Sequence, residues 1–277
     1  MHDAKKRVMI RKLTGFLFGF VLLSSCGEYQ KIMKGNDAEV MFTKAREYYS
    51  NGNYSKARDL FEAVRQRYIG TSRGQVIAYY RALCSYNQKN YQEAAEYFQQ
   101  FVKQYPENEF AEEASYMVGY CNYLSSPNVR LDQAVTQEAI RSFTLFLTRF
   151  PDSHHKDEIN DHIDIMRDKL SYKDYLNAEN YYKRGHYIAA IISMENCLKD
   201  YPGTKYREEI MYMMFNSRYE LAVNSIQEKQ YERFTDAQEE YYYFVDEYPN
   251  SRHAPEISKK YEVINRFIES YNLEDDE

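Results

Sequence analysis

The chain has 277 residues, longer than one average domain yet short enough for a single continuous solenoid. Ten Gly and six Pro are too few for a turn-rich all-β fold, and 30 Tyr with 15 Phe and no Trp make an aromatic excess that the fold must use. The net charge of −6 divides into +4 on residues 1–25 and −10 on residues 26–277, a balance that excludes nucleic acid and polybasic contact with anionic lipid.

At the N-terminus, Lys5, Lys6, Arg7, Arg11 and Lys12 precede an apolar run from Leu13 to Leu23, which is too short to span a bilayer as a helix. Residues 1–25 read as an export signal. The sequence Leu23-Ser24-Ser25-Cys26 resembles the lipobox of bacterial lipoproteins. That resemblance implies cleavage before Cys26, diacylglycerol on its thiol and acylation of the new amine. An ordinary secretory signal with a chance cysteine and an uncleaved anchor are the alternatives. Two or three acyl chains hold a protein at a membrane stably, whereas one does so weakly. Residues 26–38 are then a lipidated linker.

From residue 39 the chain repeats itself. Tyr105-Pro106, Phe150-Pro151, Tyr201-Pro202 and Tyr248-Pro249 share one upstream register, and Tyr68-Ile69 gives a fifth copy. Counting back from each aromatic gives Tyr54, Ala57 and Phe61; Tyr91, Ala94 and Phe98; Thr136, Ala139 and Phe143; Tyr187, Ala190 and Met194; and Phe234, Ala237 and Tyr241. Positions i, i+3 and i+7 form one stripe of a helix, so each copy predicts the second helix of a hairpin. Thr71, Asn108, Ser153, Thr204 and Ser251 are suited to cap the first helix of the next copy. First helices carry Ala45, Ala82, Gly119, Ala178 and Ser217 where helices touch. In copies three and five the interval to the second-helix Ala is longer by eight residues, which predicts a longer hairpin loop in both.

Ala45-x-x-Tyr48-Tyr49-x-x-Gly52-x-Tyr54-x-x-Ala57-x-x-x-Phe61 resembles the tetratricopeptide repeat, and Ala178 to Ala190 restates it. The fold expected is all-α: a right-handed superhelix of five such hairpins with a C-terminal capping helix. The solenoid covers residues 39–271, with repeats at about 39–70, 71–107, 108–152, 153–203 and 204–250. The capping helix covers 251–271, and 272–277 is a frayed acidic tail.

No nucleophile elbow, zinc-protease motif or phosphate-binding glycine loop is present, so neither an enzyme nor a cofactor is expected. His154, His155, Asp157, Glu158, Asp161 and His162 read as the solvated start of a helix rather than as a metal site. Cys84 and Cys121 occupy one repeat position, which favours buried free thiols for them and for Cys197 over a disulfide.

In tetratricopeptide repeats the first helices line the concave face. Four residues beyond the small residue stand Tyr49, Tyr86, Tyr123 and Tyr182; three residues before it stand Phe42, Tyr79, Tyr116 and Tyr175. Met214 and Leu221 break both series in repeat five. Two roles are open for these rings: packing between hairpins, or a ladder facing a bound peptide. The candidate groove residues are Phe42, Tyr49, Tyr79, Tyr86, Tyr116 and Tyr123.

The lipobox, five repeats with aromatic-Pro-x-Ser/Thr/Asn junctions, Tyr116-Met117-x-Gly119, Asn177 to Gly185 and Leu198-x-Asp200-Tyr201-Pro202 together resemble the BamD family of outer membrane protein assembly lipoproteins. The resemblance implies a scaffold anchored by its N-terminal lipid to the periplasmic side of the outer membrane. It would hold the periplasmic domains of a BamA-like barrel insertase through its C-terminal repeats. Unfolded outer membrane proteins with aromatic C-termini would bind the N-terminal repeats. Another repeat lipoprotein acting as a cell-envelope scaffold, or a glycan-binding outer membrane lipoprotein, are the alternatives.

Overall fold

The computed structural model describes residues 27–275, and every regular element among them is helical. The export signal and Cys26 lie outside the described residues. After α1 (27–35), the helices pair in sequence: α2 (Ala38–Ser50) with α3 (Tyr54–Val64), α4 (Ser72–Asn87) with α5 (Tyr91–Gln104), and α6 (Ala111–Ser125) with α7 (Ala134–Arg149). The long α8 (Lys156–Lys183) precedes α9 (Tyr187–Asp200); α10 (Arg207–Val223), α11 (Gln227–Glu247) and α12 (Ala254–Asp275) follow. The chain forms two compact units. Among the described residues, one contains 27–126 with 134–159, and the other contains 127–133 with 160–275.

In the first unit, α2 begins on Asp37, whose carboxylate accepts from the Glu39 and Val40 amides. Phe42 and Ala45 of α2 meet Ala57, Leu60, Phe61 and Val64 of α3, together with Ile77 and Cys84 of α4. The expected linker 26–38 is largely helix. Tyr29, Ile32 and Met33 share one face of α1, and that face packs on this same core.

In the second unit, Ala178, Ala190, Met194, Cys197, Ile210 and Met213 form one cluster, and Phe215, Ala237, Phe244, Ile257 and Ile264 form another. Loop 127–133 belongs here, because Lys169 and Lys173 of α8 donate to the Pro127 and Leu131 carbonyls at 3.1 and 2.6 Å.

The second-helix alanines Ala57, Ala94, Ala139, Ala190 and Ala237 have no exposed surface, nor do Ala45, Ala82, Ala178 and Ser217 facing them. At Gly119 even a methyl is too large: an ideal Cβ would lie 2.4 Å from Cδ1 of Phe143. The hairpin turns place Gly52 and Gly185 at φ of +75° and +72°, where an L side chain is strained. The equivalent residue of the second hairpin is Lys89, at φ 62°.

Three further expectations need correction. The eight extra residues of repeat five are not a loop. They lengthen the helices, α11 starting at Gln227, seven residues before Phe234, because this stretch has no Gly or Pro and is rich in Gln, Glu and Lys. Repeat three has the loop, at 126–133. Of the five capping residues, Thr71 caps its helix through the Gly74 amide. Asn108, Ser153, Thr204 and Ser251 instead accept from the amide two residues on, forming a side-chain turn ahead of the helix. Finally, α12 runs to Asp275, beyond the expected start of the tail.

Cys84, Cys121 and Cys197 are free and buried, and burial pushes their thiols up to about 12, 12 and 11, so they are inert.

Candidate peptide-binding face

The two aromatic series of the first helices do different work. Phe42, Tyr79 and Tyr116 of the first unit are buried. Each is covered by the residue two places beyond the cap position of the next hairpin. The Arg73 guanidinium lies 5.5 Å from the Phe42 ring, Phe110 stacks on Tyr79 at 4.8 Å, and His155 stacks on Tyr116 at 3.7 Å. The second unit repeats the joint, with Tyr206 on Tyr175 at 4.9 Å and His253 on Tyr212 at 3.8 Å, so in the fifth hairpin the ring stands at Tyr212, two residues before Met214, where the sequence register had placed a break in the series.

Three of these joints add a glutamate one turn before the aromatic ring. Glu39 pairs with Arg73, Glu113 lies 3.0 Å from His155 Nε2, and Glu209 lies 3.1 Å from His253 Nε2. The Tyr116 hydroxyl donates to Glu158 at 3.2 Å and that of Tyr212 to Glu256 at 2.8 Å. His155 is therefore a joint residue, engaged by Tyr116 and Glu113. Burial, then the Glu113 carboxylate, pushes the Tyr79 hydroxyl up to about 12; burial, then Glu158, raises that of Tyr116. All these features assign Phe42, Tyr79 and Tyr116 to packing between hairpins.

Tyr49, Tyr86 and Tyr123 are half-buried and keep part of each ring in solvent. Tyr49 and Tyr86 close their own hairpins against the first aromatic of the second helix, Tyr54 at 5.4 Å and Tyr91 at 5.8 Å. Across the joint they meet Tyr80 at 4.8 Å and Tyr120 at 6.4 Å, and Tyr120 lies 6.2 Å from Tyr123. Tyr80 and Tyr120 are thus members of the same belt that the repeat register alone missed. They sit one residue after Tyr79 and Gly119, and the doubled aromatics Tyr79-Tyr80 were the available signal. Asn87 Nδ2 donates to the Tyr49 hydroxyl at 3.3 Å. Burial raises the Tyr49 and Tyr86 hydroxyls, so both stay neutral and able to donate or accept.

A cleft of about 550 Å³ opens between α2 and α4, lined by Tyr49, Tyr80, Arg46, Arg73 and the edge of Phe42, with Glu39 and Glu47 at its side. Its volume suits a few residues of an extended chain, and its aromatic and guanidinium walls suit aromatic and carboxylate groups. A larger cleft, about 790 Å³, lies elsewhere against α5, α6 and α7 and contains none of the tyrosines.

The family model described as YfiO, outer membrane lipoprotein, matches residues 34–233, which include every hairpin of the first unit and most of the second. The chain belongs to the YfiO family. Among its relatives, the outer membrane protein assembly factor BamD of Caulobacter vibrioides is 23% identical over 188 residues, 67% of this chain and 61% of that protein. BamD of Pasteurella multocida is 22% identical over 234 residues, covering 79% of this chain and 89% of its own length. The chain therefore spans about three-fifths of the Caulobacter relative and most of the Pasteurella one. Among solved structures, the TPR2AB domain of yeast Sti1 aligns over 83% of this chain and 99% of its own, with 12% identity and a TM-score of 0.37. No helix among the described residues is long and apolar enough to cross a membrane.

Proposed function

We propose that this chain is a scaffold subunit of the machinery that assembles β-barrel proteins into the outer membrane. Membership of the YfiO family over residues 34–233 carries this reading, and the names of the relatives support it. The subunit is held to the periplasmic side of the outer membrane by lipid on Cys26. Its C-terminal hairpins engage the periplasmic domains of a BamA-like insertase. Its N-terminal hairpins receive unfolded barrel proteins on Tyr49, Tyr80, Tyr86, Tyr120 and Tyr123. Contacts between single rings add roughly 0.5–1.5 kcal/mol beyond area burial, a scale suited to a substrate that must also leave.

Affinity capture of the full chain from membranes solubilised in mild detergent should bring down a barrel insertase, identified by mass spectrometry. Recovery of envelope proteins without any insertase would overturn the assignment. Replacing Tyr49, Tyr86 and Tyr123 together with Ser should weaken binding of a peptide with an aromatic C-terminus by about tenfold, while the insertase still co-purifies. Fluorescence anisotropy reads the first effect, and circular dichroism confirms the fold. Equal peptide binding by the folded variant would make these rings packing residues alone. Metabolic lipid labelling checks the anchor: Cys26→Ala should abolish it, and persistent labelling would exclude Cys26.

A further inference from the structure

The larger cleft of the first unit lies away from the tyrosine belt. α6 packs against both α5 and α7 and contributes Ser115 and Val118 to a hollow of about 790 Å³ between them. Leu145 on α7 is 68% exposed there, the most exposed large apolar side chain among the described residues, while Val118 beneath is buried. Lys103, Arg141 and Arg149 line the same hollow, against Glu138 as its lining carboxylate. Glu138 is engaged by Arg141 Nε at 3.1 Å. The Arg149 guanidinium donates to the Pro106 carbonyl at 3.0 Å and lies 5.3 Å from the Phe150 ring, which fixes its position without cancelling its charge. A surplus of cations beside exposed leucine is unexpected in a chain whose residues 26–277 carry −10. At Gln99, Val118 and Glu138 the hollow continues into a further space of about 380 Å³ that Glu96 also lines, so it is elongated along the helices, with its cations confined to the part that Lys103, Arg141 and Arg149 line.

We propose that this cleft docks an acidic peptide segment of a partner protein, with an aliphatic side chain seated on Leu145 and Val118. Carboxylates of the segment meet Lys103 and Arg149 as charge-assisted hydrogen bonds. An anionic lipid surface fits less well, because part of the apolar contact lies within the hollow rather than on a projecting face. The site is separate from the tyrosine belt and does not depend on the function of that belt.

The test uses the full chain in mild detergent and a fluorescein-labelled dodecapeptide of Glu and Asp with two Leu four places apart. Saturable anisotropy should be seen, weakening as salt is raised. Leu145→Gln and the pair Lys103→Glu with Arg149→Glu should each weaken it about tenfold. These side chains are exposed, so the variants should fold, as circular dichroism will verify. A peptide with Lys and Arg in place of the acids should not bind, and the triple Tyr→Ser variant should bind as the parent does. Absence of saturable binding, equal binding of the basic peptide, or unaffected variants would each overturn the proposal. So would binding of phosphatidylglycerol vesicles that the same substitutions abolish, which would reassign the cleft to lipid.

Discussion

Gly119→Ala probes the close contact between α6 and Phe143 of α7. The added methyl would lie 2.4 Å from Cδ1 and 2.6 Å from Cε1 of Phe143, well inside van der Waals contact. Phe143 has no exposed surface, and Tyr116 stands 6.2 Å from its ring, so it cannot swing into solvent. Overpacking costs about 1–3 kcal/mol, and a clash this close against a ring that cannot move takes the upper part of that range, about 2–3 kcal/mol. Replacing Gly by Ala inside a helix returns about 0.8–1 kcal/mol, leaving a net loss of about 1–2 kcal/mol. For a protein of this size each kcal/mol moves Tm by about 2–4 °C, so a fall of about 2–8 °C is expected by differential scanning calorimetry. The double-mutant cycle with Phe143→Leu localises the effect. In that background the methyl has room, and Gly119→Ala should become neutral or stabilising. An unchanged or raised Tm for the single variant, or a strictly additive cycle, would refute the contact.

Lys89→Gly should stabilise the protein by about 0.5–1 kcal/mol by relieving a left-handed backbone that Gly52 and Gly185 occupy freely, read as a higher urea midpoint. A lower midpoint would mean that the lysine side chain outweighs the strain. Burial opposes ionisation of Glu209, but hydrogen bonds from His253 and Arg252 hold its carboxyl below the ordinary value. Its folded value is depressed, so its contribution is present above the unfolded pKa of about 4.3 and is lost as pH falls through the folded one. Urea unfolding of Glu209→Gln and the parent should therefore differ at about pH 6, and the gap should close as pH falls below the unfolded value and through the lower folded one. A gap that persists in acid would assign the effect to packing.

Much of the fold was legible because close contact between helices selects residue size, and size is visible in sequence. Ala57, Ala94, Ala139, Ala190 and Ala237 announced a second helix each and are all fully buried. What covers a ring was not legible, since the register fixes the face of a residue but not the side chain arriving from the next hairpin. Phe42, Tyr79 and Tyr116 thus looked equivalent to Tyr49, Tyr86 and Tyr123, although a neighbour covers the first three. Spacing alone also could not distinguish a longer loop from longer helices. Pro127 and Asn128 in repeat three, against Gln227-Glu228-Lys229-Gln230 in repeat five, carried that information. The cleft on α5 to α7 left no trace in the repeat pattern, because apart from Pro106 it is made by residues between the repeat positions.

The joint residues Arg73, Phe110, His155, Tyr206 and His253 occupy one geometric slot with four different chemistries. What the slot requires is a flat or delocalised group above a ring. Each hairpin therefore presents half of a generic coupling, and its successor brings the other half. Modules joined in this way are interchangeable at the level of backbone while remaining individually adjustable in charge. A chain ending one hairpin early would leave an uncovered ring at its new end. Shortening this protein from the C-terminus should thus create an adhesive terminus at each cut, and the stepwise loss of order expected of nearest-neighbour arrays would begin there.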